Sequence, residues 1–185
     1  ILSKDSIMRE VHSGKIEIQP FVEENVNENS YDVTLGSKLL VYTDSVLDTA
    51  KKNDTEMIEI PKEGYLLEKG KFYVGHIEQY IGSDSYVPIL HGLQNVAKKG
   101  LFIHITANLI DIGNHCNFSL HLYPTESIMV YPSEKIYCNA VNSYGYYVGT
   151  TSNPSTELYN GKYKNVVGPA ASQSYKHSEK AGVEK

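Results

Sequence analysis

Apolar and polar residues alternate along most of this chain, and only its start follows a helical spacing. The first segment has the pattern of one short amphipathic helix that ends at Gly14, with Asp5 and Ser6 as candidate caps. Its apolar face is predicted to carry Ile7, Met8 and Val11.

After Gly14 the period changes to two or to short apolar runs, beginning with Ile16 and Ile18. Gly and Pro residues separate the runs, as expected for turns between strands. A polar stretch at 43–56 is predicted to be an exposed loop, and 94–99 a helical turn. Together these features predict an all-β sandwich, barrel or jelly roll with a short N-terminal helix. The predicted strands include 31–35, 39–42, 57–60, 72–74, 101–105, 118–122, 128–131 and 136–141.

The composition is that of one ordinary globular domain. The chain has 185 residues, 41% of them hydrophobic, and we expect a domain at 1–175 and a solvated tail at 176–185. No apolar run is long enough to span a membrane, and no signal peptide is apparent. A net charge of −5 argues against a nucleic-acid polymer as partner. Two cysteines without a CxxC spacing favour a reduced cytoplasmic setting.

Several segments, in order and at matching spacing, resemble the dCTP deaminase/dUTPase superfamily. Residues 29–36 resemble its SYDxxLG element, and 76–80 its TLEYV-type strand. Residues 100–107, followed by Ile110, Asp111 and Gly113, resemble GLxVHVTAxxIDPG. The resemblance implies a homotrimer of distorted jelly-roll or β-barrel subunits of the dUTPase-like type, with nucleotide sites where subunits meet.

The chain departs from the family pattern ahead of the 100–107 match. The family has Gly-Arg-Ser-Ser-Leu-Ala-Arg there, whereas residues 92–98 read GLQNVAK. Leu93 therefore replaces a phosphate-binding Arg, and Lys98 keeps a charge but not the bidentate fork of the second Arg. Gln94 and Asn95 replace the two serines and offer amide groups suited to base edges or ribose.

A second departure concerns the family's catalytic Glu, which lies in an LEL-type triplet. Here the triplet is Leu120-His121-Leu122, and the phosphate-binding Gln of the closing segment is Val166. We therefore expect no catalytic residue, cofactor or metal. The ligand-binding residues that the resemblance implies are Gln94, Asn95, Lys98, Ala107, Asp111, His121, Tyr159 and Lys162.

These departures favour a non-catalytic protein that binds a nucleotide between subunits. Lys98 and Lys162 retain positive charge, while Leu93 and Val166 remove two phosphate ligands, which suits a cyclic nucleotide better than a triphosphate. On this interpretation the protein is inactive on dCTP and acts as a sponge or regulator. The composition would suit a phage or viral protein in its host cytoplasm.

Four alternatives stay open. The first is an active dCTP deaminase with altered residues, in which the His121 imidazole moves the proton. A dUTPase would draw on Asp32 and Asp111, and a purely structural trimer would bind no ligand. A zinc site would need residues that lie close in sequence, namely His104, His115, Cys116 and His121.

Overall fold

The computed structural model describes residues 1–104, 108–133, 135–143, 163 and 165–176. Two helices occur in this part of the chain, α1 (Lys4–His12) and the single turn α2 (Gln94–Ala97), with a 3₁₀ turn at Glu23–Asn25. The strands are β1 (Glu17–Gln19), β2 (Tyr31–Thr34), β3 (Lys38–Tyr42), β4 (Thr55–Glu59), β5 (Tyr65–Leu67), β6 (Tyr73–His76), β7 (Tyr80–Gly82), β8 (Tyr86–Gly92), β9 (Leu101–Ile103), β10 (Ser119–Pro124), β11 (Ile128–Val130) and β12 (Lys135–Ser143).

Two antiparallel sheets form the body of the fold. One has the strand order β4-β3-β6-β10-β9 and the other the order β2-β12-β8, with two small two-stranded ladders, β1-β7 and β11-β5. Neighbouring strands in space are mostly distant in the chain, as in a jelly roll. The all-β fold with a short N-terminal helix is therefore confirmed.

One apolar core joins the sheets, and strand alternation explains its membership. Leu120 and Leu122 of β10 are fully buried, as are Val33 of β2 and Leu39 of β3. Side chains two positions apart on a strand share a face. The residue before Leu120 and the residue between Leu120 and Leu122 therefore point to the opposite face. His121 and Ser119 thus lie together on the other face of β10, which is only partly buried.

The N-terminal helix forms as predicted, but its cap is different. Ser3 is the N-cap, and its side chain accepts from the backbone N–H of Ser6 at 3.4 Å, so Asp5 and Ser6 lie within the first turn. Ser13 is the C-cap, and Gly14 follows with a φ of +77°. Ser3 has the extended backbone that an N-cap needs, which places the helix start earlier than the sequence predicted.

The sequence prediction missed three strands, β5, β7 and β8. β8 contains Pro88, a residue that normally argues against a strand. The segment 76–80 is not one strand, because β6 ends at His76 and β7 begins at Tyr80. Among the described residues, no helix is long and apolar enough to cross a bilayer.

Candidate functional site

A cavity of about 620 Å³ opens beside the exposed face of β10. Its wall combines the end of β3, the loop that follows β3, the strands β6 and β10, the segment 108–119 and the closing segment 163–174. The described side chains with polar or aromatic groups on this wall are Tyr42, Asp48, Thr49, Asn53, Phe72, His104, Asp111, Asn114, Asn117, Phe118, Ser119, His121, Tyr163, Ser172 and Ser174.

His121 projects into this cavity because of its position on β10. It pairs across the sheet with Val74 of β6, and the ring of Phe72 lies 5.9 Å from the His121 ring. Burial among such neighbours lowers the pKa of His121 from its ordinary value of 6.5. The imidazole is consequently neutral at pH 7, a form that accepts a proton.

His104 packs directly against His121. The two rings are parallel within 5° and their centroids are 4.4 Å apart. The His104 backbone N–H donates to the His121 carbonyl at 2.9 Å, and the His121 backbone N–H donates to His104 Nδ1 at 3.4 Å. His104 has a φ of +54°, a conformation that costs a non-glycine residue on the order of 1 kcal/mol. The structure therefore holds His104 in place against a local preference.

Asp111 lies on the cavity wall at a tight turn. Gly113 takes a φ of +80° there and donates its N–H to the Ser83 carbonyl at 2.8 Å, while the Asn114 N–H donates to the Asp111 carbonyl. The Asp111 side chain is exposed. It can therefore accept a hydrogen bond from a ligand hydroxyl, the role that the resemblance implies.

Of the other predicted ligand residues, those that the structure describes do not line the cavity of their own chain. Gln94 and Asn95 are exposed on α2, Lys98 is exposed at its C-cap, and none of them lines the cavity. Leu93 packs against the core instead. Ala107, Tyr159 and Lys162 lie outside the described residues.

The four candidate zinc ligands do not all converge. His104, Cys116 and His121 line the cavity, but both ring nitrogens of His115 bond carboxylates, Nδ1 to Glu17 at 2.7 Å and Nε2 to Asp84 at 2.9 Å. Burial raises the pKa of Cys116 to about 12, which disfavours the thiolate that binds metal. The described residues contain no group of three side chains placed to hold a metal ion.

The resemblance assigned the closing segment to the site through Tyr159, Lys162 and Val166, and the structure adds residues 170–174 of that segment to the cavity wall. The Ser172 N–H donates to the Tyr42 hydroxyl at 2.9 Å, and the Ser174 hydroxyl donates to the Thr49 carbonyl at 2.8 Å. The Ala170 N–H donates to the Ser119 hydroxyl at 3.1 Å. These residues are up to 130 positions apart in the chain. The polar loop at 43–56 was visible in the sequence, but its contact with the C-terminal segment was not.

Charge on the described part of the cavity wall is negative. Asp48 and Asp111 are its charged members, Asp48 pairs with Lys51 at 3.4 Å, and no Lys or Arg is among the described lining residues. A polyphosphate would be repelled here unless cations reach the cavity from another segment or another copy.

Fold and cavity together define a dUTPase-like β-protein. The sequence profile described as "dCTP deaminase-like" matches residues 1–138. The chain therefore belongs to the dCTP deaminase-like family, which confirms the superfamily expected from its motifs.

Curated relatives match over nearly the full chain. A protein of Clostridium botulinum (strain Eklund 17B / Type B) named "dCTP deaminase, dUMP-forming" is 40% identical over 97% of this chain and 99% of its own. Proteins with the same name from Clostridium acetobutylicum and Leptospira biflexa are 36% and 33% identical. A solved 2'-deoxycytidine 5'-triphosphate deaminase from Agrobacterium tumefaciens has a TM-score of 0.61 at 15% identity, over 76% of this chain and 47% of that chain. That last likeness concerns the fold alone.

These relatives overturn the expectation of a non-catalytic binding protein. Proteins about 40% identical over nearly their whole length are named as enzymes, which favours the alternative of an active enzyme with altered residues. The sponge or regulator, the cyclic nucleotide ligand and the phage origin have no support among them. The substitutions at 92–98 and 120–122 are few compared with the similarity that extends over nearly the whole chain.

Proposed function

We propose that this protein deaminates dCTP and that His121 carries the proton in the reaction. The observation that carries the proposal is the position of His121, which is the residue of β10 that faces the cavity between the buried Leu120 and Leu122. In the resemblance, this is the position of the family's catalytic Glu. The relatives' name supplies the substrate.

Hydrolytic deamination needs a group that takes a proton from water and later gives it to the departing amine. The water oxygen bonds to C4 of cytosine while its proton passes to the neutral His121 imidazole. The protonated imidazole then donates to the amino nitrogen, the C4–N bond breaks and ammonia leaves. The second water proton passes from the new hydroxyl to N3 as C4 becomes a carbonyl. The lowered pKa of His121 keeps the imidazole in the accepting form at the start.

Deamination of dCTP alone yields dUTP, whereas the relatives' name specifies dUMP. Reaching dUMP requires a second water molecule to cleave between the α- and β-phosphates, with release of diphosphate. We extend the proposal to dUMP, with Asp111 accepting a hydrogen bond from the sugar hydroxyl. A cytoplasmic location follows from this substrate.

The phosphates require cations that the described cavity wall does not supply. Lys98 is exposed at the C-cap of α2, outside the cavity of its own chain. We therefore propose a homotrimer in which α2 of a neighbouring copy brings Lys98 to the triphosphate. The lack of Lys and Arg on the described cavity wall, together with the carboxylate of Asp111, supports this arrangement, because the described part of one subunit offers a polyanion no cationic partner there.

The test is incubation with dCTP, with separation of dUTP and dUMP by chromatography. We expect turnover by the parent protein and a loss of about a hundred- to ten-thousand-fold in His121→Ala, the usual contribution of a positioned acid–base group. His12→Ala is the matched control, because His12 is exposed at the end of α1 and does not line the cavity. Absence of any product from the parent protein would refute the proposed activity.

The same assay tests the assembly. Lys98→Ala should raise KM for dCTP, and mixing Lys98→Ala subunits with His121→Ala subunits should restore part of the activity. Restoration follows because some mixed interfaces then contain both intact residues. If the mixture is no more active than its components, the shared site is wrong even where the activity is present.

A further inference from the structure

Beyond the acid–base residue itself, the cavity contains a second histidine whose geometry is coupled to it. His104 follows the last residue of β9, and its ring covers one face of the His121 ring at 4.4 Å. Phe72 lies against His121 at 5.9 Å with a tilt of 43°. The His121 ring therefore has two aromatic neighbours, and the stacked one restricts its rotation.

The backbones of the two histidines are coupled as well. Each residue donates its backbone N–H to the other, His104 to the His121 carbonyl and His121 to His104 Nδ1. The second bond requires His104 to turn its side chain back over β10, which accompanies its φ of +54°. Unusual backbone conformations that a fold maintains often occur at functional sites.

The hydrogen bond to Nδ1 also determines the charge of the His104 ring. A nitrogen that accepts is unprotonated, so His104 is the neutral tautomer with its proton on Nε2. A neutral aromatic face stabilises a cation stacked on it, whereas two stacked cations repel. With Nδ1 of His104 accepting, the stacked geometry leaves His121 as the member of the pair that takes up the transferred proton.

We propose that His104 is a positioning residue, which orients the His121 imidazole toward the reacting atoms and stabilises the cation that forms on it. This inference rests on the proposed deamination, because it assigns His104 a role in the proton transfer at His121. The other titratable groups that line the cavity are Tyr42, Asp48, Asp111, Cys116 and Tyr163. These groups are common to every variant below.

Two substitutions separate the stacking of the His104 ring from the hydrogen bond that its Nδ1 accepts. His104→Asn keeps a hydrogen-bond acceptor near the position of Nδ1 and tolerates a positive φ, but it removes the stacked ring. His104→Phe keeps an aromatic face but removes the acceptor. The experiment measures kcat and KM for dCTP across pH, together with NMR titration of the His121 ring in each variant.

For His104→Asn we expect kcat to fall about tenfold, the usual cost of losing a residue that orients a functional group, with KM nearly unchanged. The acid limb of the kcat profile and the NMR midpoint of His121 should both move to lower pH, because the cation has lost its aromatic neighbour. His104→Phe should retain the parent midpoint while losing part of kcat through poorer orientation.

An unchanged midpoint and acid limb in His104→Asn would overturn the inference. Equal midpoints in the Asn and Phe variants would do the same. If the parent protein forms no product, the proposed function fails, but the NMR titration still decides whether His104 stabilises the His121 cation. If His104→Phe does not fold, the titration of His104→Asn against the parent protein decides the question alone.

Discussion

Two histidines six positions apart occupy opposite electrostatic environments in this protein. His121 lies beside two aromatic rings on the cavity wall, and burial lowers its pKa. His115 is also partly buried, which by itself would lower its pKa, but its hydrogen bonds to Asp84 and Glu17 outweigh burial and raise it. The pKa of one residue type is thus lowered on the cavity wall and raised where two carboxylates accept its ring N–H groups.

His115 belongs to the scaffold, whereas His121 belongs to the cavity. His115 joins β1 to the β7–β8 turn through the two carboxylates, and its carbonyl accepts the Asn165 N–H of the closing segment at 3.0 Å. The His121 ring instead packs against Phe72 and His104 and faces the cavity. We expect changes around His115 to affect stability and changes around His121 to affect activity.

The largest expected effect is steric displacement of His115. A methyl group at Gly82 would lie 2.3 Å from ring Cγ and 2.8 Å from Cα of His115, so Gly82→Ala should cost about 2 kcal/mol of unfolding free energy. Gly92→Ala is the matched control, because its methyl would meet Ile103 Cβ at an ordinary 3.6 Å. Urea denaturation measures both, and equal stability of the two variants would contradict this placement of His115.

A smaller effect should follow from giving His121 a carboxylate neighbour like those of His115. Phe72→Glu places an acidic group beside the ring, and an adjacent opposite charge raises a histidine pKa by about one unit or more. The protonated fraction at pH 7 then grows, and kcat should fall by about tenfold or less, with recovery at higher pH. Phe72→Gln supplies the uncharged control. A kcat profile that is the same in the Glu and Gln variants would show that charge at position 72 does not reach His121.

The smallest effect concerns pH-dependent stability. Because the folded-state pKa of His115 is raised, its ion pairs stabilise the fold fully below the unfolded-state value of about 6.5 and are lost as pH rises through the folded-state pKa. The contribution should be about 1 kcal/mol, since both carboxylates are partly exposed. Unfolding free energies from about pH 5.5 to about pH 8.5 should decline in the parent protein. The decline should flatten in Glu17→Gln/Asp84→Asn, and an unchanged slope in that double variant would exclude His115 as its source.

The local sequence pattern predicted most helices and strands correctly but predicted the function wrongly. The predicted strand at 118–122 forms, and its side-chain alternation explains why Leu120 and Leu122 are buried while His121 lies on the opposite face. β8 escaped the prediction because Pro88 interrupts its pattern, although its neighbours still pair with β12. The substitution at position 121 was visible in the sequence, but its meaning was misjudged as loss of activity, which the similarity to enzymes over nearly the whole chain corrects.

The sequence by itself determined the all-β class, the short N-terminal helix and membership of the superfamily, because each rests on local periodicity or on ordered motifs. Only the tertiary structure decided which residues surround the cavity. The approach of Ser172 to Tyr42 and the stacking of His104 on His121 depend on strand pairing and backbone turns between segments distant in the chain. The tertiary structure also sets the pKa shifts of His115 and His121. A pKa responds to burial and to nearby charge, and both arise only when the chain has folded.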